Sequence, residues 1–167
     1  GVTDPVEITH LSWRPDAGAT SFGPVSFQAR IDLSTGTLPL VANFASNHGV
    51  DLVTVFNGEF SVPYYAGKAS GAEDFAIQVA LDRPFRWDPS HGALIVDIRK
   101  ATTVAGTAGG SLDFAAGSPS DLGRAVHTSD PDATTADFGP HGNSLVIRLG
   151  GEGRNATVKP DGNGCLG

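Results

Sequence analysis

Apolar and polar residues alternate along most of the chain. Val25, Phe27, Ala29, Ile31 and Leu33 interleave with Ser26, Gln28, Arg30, Asp32 and Ser34. A period of two puts one set on a dry face and the other on a wet one, as in a half-buried strand. Phe75, Ile77, Val79 and Leu81 repeat the pattern, as do Leu94, Val96 and Ile98, and then Leu145, Ile147 and Leu149. Less regular strands are expected over 6–13, 52–56, 59–65, 111–115, 123–128 and 134–138. The total is about ten strands, with no amphipathic helix longer than two turns and a short helical turn over 44–50. The expected core is Phe27, Ile31, Phe75, Ile77, Val79, Leu94, Val96, Ile98, Leu145 and Ile147.

Turn chemistry separates these strands. Asn57-Gly58 reads as a two-residue hairpin between 52–56 and 59–65. The segments 14–18 and 88–92 read as turns, because proline presets φ and glycine tolerates positive φ. Pro63 lacks an N–H and sends its strand to a sheet edge. Short strands with one wet face predict an all-β fold, an antiparallel two-sheet β-sandwich of jelly-roll type. The domain is expected over 1–149. Residues 150–167 are glycine-rich and are expected to be a tail outside the core.

Composition sharpens this picture. A chain of 167 residues suits one domain, and burying about 70% of its unfolded surface gives a core without metal or disulfide staples. The 22 glycines and 11 prolines agree with many turns. The net charge of −7 argues against a nucleic-acid or anionic-membrane partner. No apolar run is long enough to span a membrane as a helix. Methionine is absent even at position 1, which reads as a processed chain that has lost a targeting segment. Cys165 is the sole cysteine, so an internal disulfide is excluded, and the thiol is free or pairs with another chain.

The order of motifs resembles a known group. Ile8-Thr9-His10-Leu11-Ser12-Trp13-Arg14-Pro15-Asp16 opens the series, followed by Ile31-Asp32-Leu33-Ser34-Thr35 and Phe44-Ala45-Ser46-Asn47. Thr54-Val55-Phe56-Asn57-Gly58, Pro84-Phe85-Arg86-Trp87-Asp88-Pro89 and Gly92-Ala93-Leu94-Ile95-Val96-Asp97-Ile98-Arg99 complete it. Over about residues 6–149 this resembles the passenger domains of bacterial exported proteins that carry a PEP-CTERM sorting tail. The resemblance implies a β-sandwich, export from a Gram-negative bacterium, and a place at the cell surface or in the extracellular matrix. It implies no catalytic residues. The hydrophobic helix and basic cluster of that tail are absent, and residues 150–167 stand in their place. The stretch that normally precedes the Ile-Thr strand is reduced to 1–5, which would leave the sandwich one strand short.

No catalytic constellation is legible. The four glutamates are Glu7, Glu59, Glu73 and Glu152, and most aspartates sit in turns, so no opposed carboxylate pair can be located. The five histidines lack zinc-site spacing. No Gly-x-Ser-x-Gly elbow occurs. The chain is therefore expected to be no enzyme and to need no cofactor. Calcium is the better metal candidate, through Asp130-Pro131-Asp132 and Asp161-Gly162-Asn163, whose oxygens are hard ligands.

The functional expectation is an extracellular structural protein that associates with copies of itself. Residues 1–10 would lend a strand to a neighbour, anchored by Val2, Val6 and Ile8. The shorter segment 157–159 is the other donor. The alternative is a carbohydrate-binding module, with Tyr64, Tyr65 and Trp87 stacking on a polysaccharide. A secreted hydrolase ranks third. Asn155-Ala156-Thr157 is a glycosylation sequon. A free strand and an unfilled groove would mark the fibre, exposed aromatics the sugar binder, and opposed carboxylates in a cleft the hydrolase.

Overall fold

The structure, a computed structural model, describes residues 2–16, 21, 23–68, 72, 74–106, 112–118, 120–126, 130–151 and 154–158. Among them eleven strands and two 3₁₀ turns occur, and no α-helix. The fold is the all-β, antiparallel, two-sheet sandwich expected.

One sheet is ordered β11(Arg154–Val158)-β10(Ile147–Gly151)-β1(Val6–Trp13)-β4(Ile77–Trp87). The other is β3(Val53–Val62)-β2(Val25–Gly36)-β5(Ala93–Gly106). Two ribbons accompany them. One pairs β6(Phe114–Ala116) with β9(Asn143–Leu145), the other β7(Arg124–Val126) with β8(Phe138–His141).

The sheets close on the apolar face of each strand. Ile8, Leu11 and Trp13 from β1 meet Ile31 and Leu33 from β2, Val55 and Phe60 from β3, and Ile77, Val79, Phe85 and Trp87 from β4. Aromatic rings bridge the layers. Trp13 of one sheet lies 6.0 Å from Phe60 of the other, and Phe60 in turn meets its own-sheet register partner Phe27 edge-on at 5.3 Å, a favoured geometry.

The expected hairpin at Asn57-Gly58 does not form. Both residues lie inside the continuous β3, where Asn57 pairs with Arg30 and Gly58 with Ala29. The long β2 offers an uninterrupted partner, and the Asn57 N–H donates to Asp82 Oδ2 at 3.0 Å. Pairing along β2 overrides the local turn preference. β3 is an edge strand and ends just before Pro63, as that proline requires. Pro84 sits in the other outer strand, β4, within residues 81–84, where the pairing with β1 skips from Ala80 to Phe85.

The boundary expected at 149/150 falls inside β10, and β11 adds a further strand. The sheet therefore runs past the expected domain end. His10 explains the local glycine, since a Cβ on Gly150 would collide with its ring. The short turn over 44–50 is a 3₁₀ turn at Ala45–Asn47. The turn at 88–92 is a second one, with Asp88 accepting from the Ser90 N–H at 2.9 Å.

Candidate functional site

The expected core residues divide in two. Ile31, Ile77 and Val79 are buried. Phe27, Phe75, Leu94, Val96, Leu145 and Ile147 are half-buried, and Ile98 is 38% exposed. For Leu94, Val96, Ile98, Leu145 and Ile147 the cause is the position of β5. It ends its sheet, and no described strand pairs with its outer side. Its inward side chains therefore face open space. That space is part of a cleft of about 730 Å³ that runs along Ala93–Ala101 and wraps the edge of β5, so residues of both its faces line it. Leu145, Ile147 and Leu149 line it from the opposite sheet, and Leu122, Arg124 and Pro131 close it further.

On its other face β5 carries charge. Asp97 pairs directly with Asp32 of β2, and Arg99 with Arg30. Like charges directly opposite destabilise a sheet. Here each strand neutralises itself. Arg30 Nε donates to Asp32 at 2.9 Å, and Arg99 Nη2 donates to Asp97 at 3.1 Å. The unlike charges therefore lie along each strand and the like charges across the pair. The hydrogen bond to Asp32 holds the Arg30 guanidinium above its usual range.

His48 caps this cluster. Its Nδ1 is 2.8 Å from Ser34 Oγ and its Nε2 is 3.4 Å from Asp97 Oδ2. Burial alone would push the Asp97 carboxyl up. The His48 hydrogen bond and the Arg99 charge outweigh it and hold Asp97 below the usual carboxylate range.

Sequence reasoning did not foresee this cluster. Asp32 and Ser34 fall on the polar side of their alternating run, and the histidines show no informative spacing. Charged side chains at i and i+2 on two strands were the available signal.

The cluster contains Ser, His and Asp, and it contains opposed carboxylates. Its geometry suits neither chemistry. Ser34 is fully buried, so its hydroxyl cannot reach a substrate carbonyl. Asp32 is 2% exposed and pinned by Arg30. Asp97 is held by His48 and Arg99 of its own chain. The arrangement locks the segment bearing His48 onto β2 and β5.

The remaining expected residues are dispersed. Val6 and Ile8 belong to β1, which pairs on both sides with strands of its own chain; Ile8 is fully buried, and Val2 packs half-buried against the core. Tyr64 is exposed, and Tyr65 Oη accepts from the Asp74 N–H at 3.3 Å. Trp87 is buried, with Nε1 donating to the Gly92 carbonyl at 3.1 Å, and it contributes to the cleft wall. Asn155 lies on β11, opposite Gly150 in register. Asp130 Oδ1 accepts from the Asp132 N–H at 2.8 Å, which folds that pair into a turn. Asp161, Asn163 and Cys165 lie outside the described residues. Among the described residues no group of three or more His, Cys, Asp or Glu could hold a metal ion. No helix among them is long and apolar enough to cross a membrane.

Compared with known proteins, the chain matches no family model, no curated protein and no solved structure.

Proposed function

We propose that this chain is a non-enzymatic structural protein of the bacterial cell surface or extracellular matrix, exported from a Gram-negative cell, whose copies associate through open β-structure. One observation carries the reading: the long β5 has a strand partner on one side only among the described residues, and a partly apolar cleft runs beside it. A strand edge with unpaired N–H and C=O groups is a template for another chain, and alternate side chains such as Leu94, Val96 and Ile98 offer it an apolar surface. Terminal strand exchange is the second element of the proposal. In that form Val2, Val6 and Ile8 of one copy take the β1 position of the next, between β10 and β4. Such an exchange keeps the β1 pairings and links copies head to tail.

The test is sedimentation across a wide concentration range, with electron microscopy of the same samples. Concentration-dependent assemblies are expected. A monomer that persists at millimolar concentration would end the proposal. Filaments unchanged by removal of residues 1–7 would end the strand-exchange element alone.

The alternative of a carbohydrate-binding module is favoured by the same cleft. Its volume suits a small ligand, and Trp87, His48, Asp97 and Arg99 lie in its wall. Calorimetry against a polysaccharide panel separates the readings, because only this one requires saturable binding by the monomer.

A further inference from the structure

The open edge of β5 carries the sequence Asp97-Ile98-Arg99, which is complementary to itself when reversed. Two antiparallel copies related by a two-fold axis through Ile98 place Asp97 of each opposite Arg99 of the other. We propose that two copies of this chain join edge to edge along β5 in this register, extending the three-stranded sheet across the axis. This names the partner and register for the self-association proposed above and rests on that reading.

Three observations favour it. β5 is 14 residues long and, among the described residues, is paired only with β2. Ile98 is exposed by 38%, Val104 by 51%, and Lys100, Ala101 and Thr103 are also exposed, so the strand's second half is open to solvent. The third is charge. A two-fold axis normal to the sheet keeps side chains on their own faces, so the axis must pass through one residue position. An axis at Asp97 sets carboxylate against carboxylate. At Arg99 it sets guanidinium against guanidinium, and at Lys100 ammonium against ammonium. Like charges directly opposite are destabilising and unlike charges stabilising. Among the positions from Asp97 to Lys100, the one at Ile98 avoids these clashes and forms two unlike pairs, with an apolar contact at the centre. On the β2 side the same residues face like charges, Asp97 against Asp32 and Arg99 against Arg30. Arg99 also donates to its own chain's Pro131 carbonyl at 3.3 Å, and a second β5 supplies the charge opposite to Asp97 and to Arg99.

Charged side chains commonly protect an edge from association. Their alternation about Ile98 turns that protection into selection. A neutral strand partners neither charge, a uniformly basic one repels Arg99 and a uniformly acidic one repels Asp97, while a second copy satisfies both. The junction is isologous, so it makes a dimer and closes there. Joined with strand exchange, it would cross-link filaments into a matrix.

The experiment uses single cysteines in a Cys165→Ser background. Residues opposite each other in an antiparallel pair have Cα atoms about 4.5–5.5 Å apart, within disulfide range. Ile98→Cys is therefore expected to give a covalent dimer on mild oxidation. Val104→Cys is the control. It is more exposed, yet in this register the two copies of residue 104 lie about 40 Å apart, and it is expected to stay reduced. Ile98→Lys, which sets two ammonium groups on the axis, is expected to lose the dimer in sedimentation. Equal cross-linking at both positions overturns the register. Assembly of the parent protein without cross-linking at Ile98→Cys overturns the β5 junction while leaving self-association standing. A parent protein that is monomeric throughout overturns both.

Discussion

Ile77 and Ile98 show how much one position differs from another of the same type. Both were expected in the core, and both sit on alternating strands. Ile77 is 3% exposed, deep between the sheets, whereas Ile98 opens onto the cleft. Replacing Ile77 by Ala is expected to cost about 2–5 kcal/mol, since it removes burial and leaves a cavity. The same change at Ile98 is expected to cost about 1 kcal/mol or less. Urea denaturation of the two variants checks the contrast. Asp97 gives a second prediction. Its folded-state pKa lies below the ordinary 3.8, so the folded protein favours the ionised form. The resulting stabilisation is present above that value and is lost as pH falls through the lower folded-state value. Stability measured from about pH 5 downwards should decline less steeply in Asp97→Asn than in the parent protein, because the variant lacks this group. An unchanged acid slope would mean that Asp97 does not couple to folding.

β3 is the element on which local and non-local preferences disagree. Asn57-Gly58 favours a hairpin, yet the chain passes straight through it alongside β2. Asp82 helps hold it there by accepting from the Asn57 N–H, and Arg83 Nε donates to the Thr54 carbonyl at 2.7 Å. These two side chains of β4 fasten the edge of one sheet to the edge of the other. The amide of Asn57 should therefore exchange slowly with deuterium. In Asp82→Ala it should exchange at least about fivefold faster, which is the effect of losing one hydrogen bond to a charged acceptor. Fast exchange at Asn57 in the parent protein would place a turn there instead. A related constraint acts at Gly49, where a Cβ would collide with the Thr35 carbonyl. Gly49→Ala should displace the segment that carries His48 and so separate it from Ser34 and Asp97. The His48 ring chemical shifts report that separation directly.

At the scale of the whole molecule, the two sheets are closed on one side and open on the other. β3 and β4 are tied through Asp82 and Arg83, whereas β5 and β10 stand apart across the cleft. This asymmetry gives the protein one sealed flank and one flank available to a partner. The proposed self-association belongs to the open flank, and it predicts that added salt weakens the β5 junction by screening its Asp97–Arg99 pairs. Sedimentation at low and high ionic strength checks this. A junction that strengthens with salt would point to apolar contacts as its main support.

The period-two runs of the chain were enough to determine that it is all β, antiparallel and two-layered. Each run fixes which side of its own strand is apolar, and the less regular strand expected over 6–13 has the bounds of β1. The acidic charge and the absence of a catalytic spacing are likewise properties of the sequence alone. Strand order is not, because alternation says nothing of which neighbour a strand pairs with. Only the tertiary structure seats residues 6–13 centrally between β10 and β4, carries the sheet beyond residue 149 into β11, and leaves β5 at an edge. From that last placement comes the exposure of Ile98, whose sequence pattern matches that of buried residues. The cluster of Ser34, His48, Asp97 and Arg99 has the same origin. Its members come from three separate stretches of chain and meet only because β2 pairs with β5 and a 3₁₀ turn folds back over both.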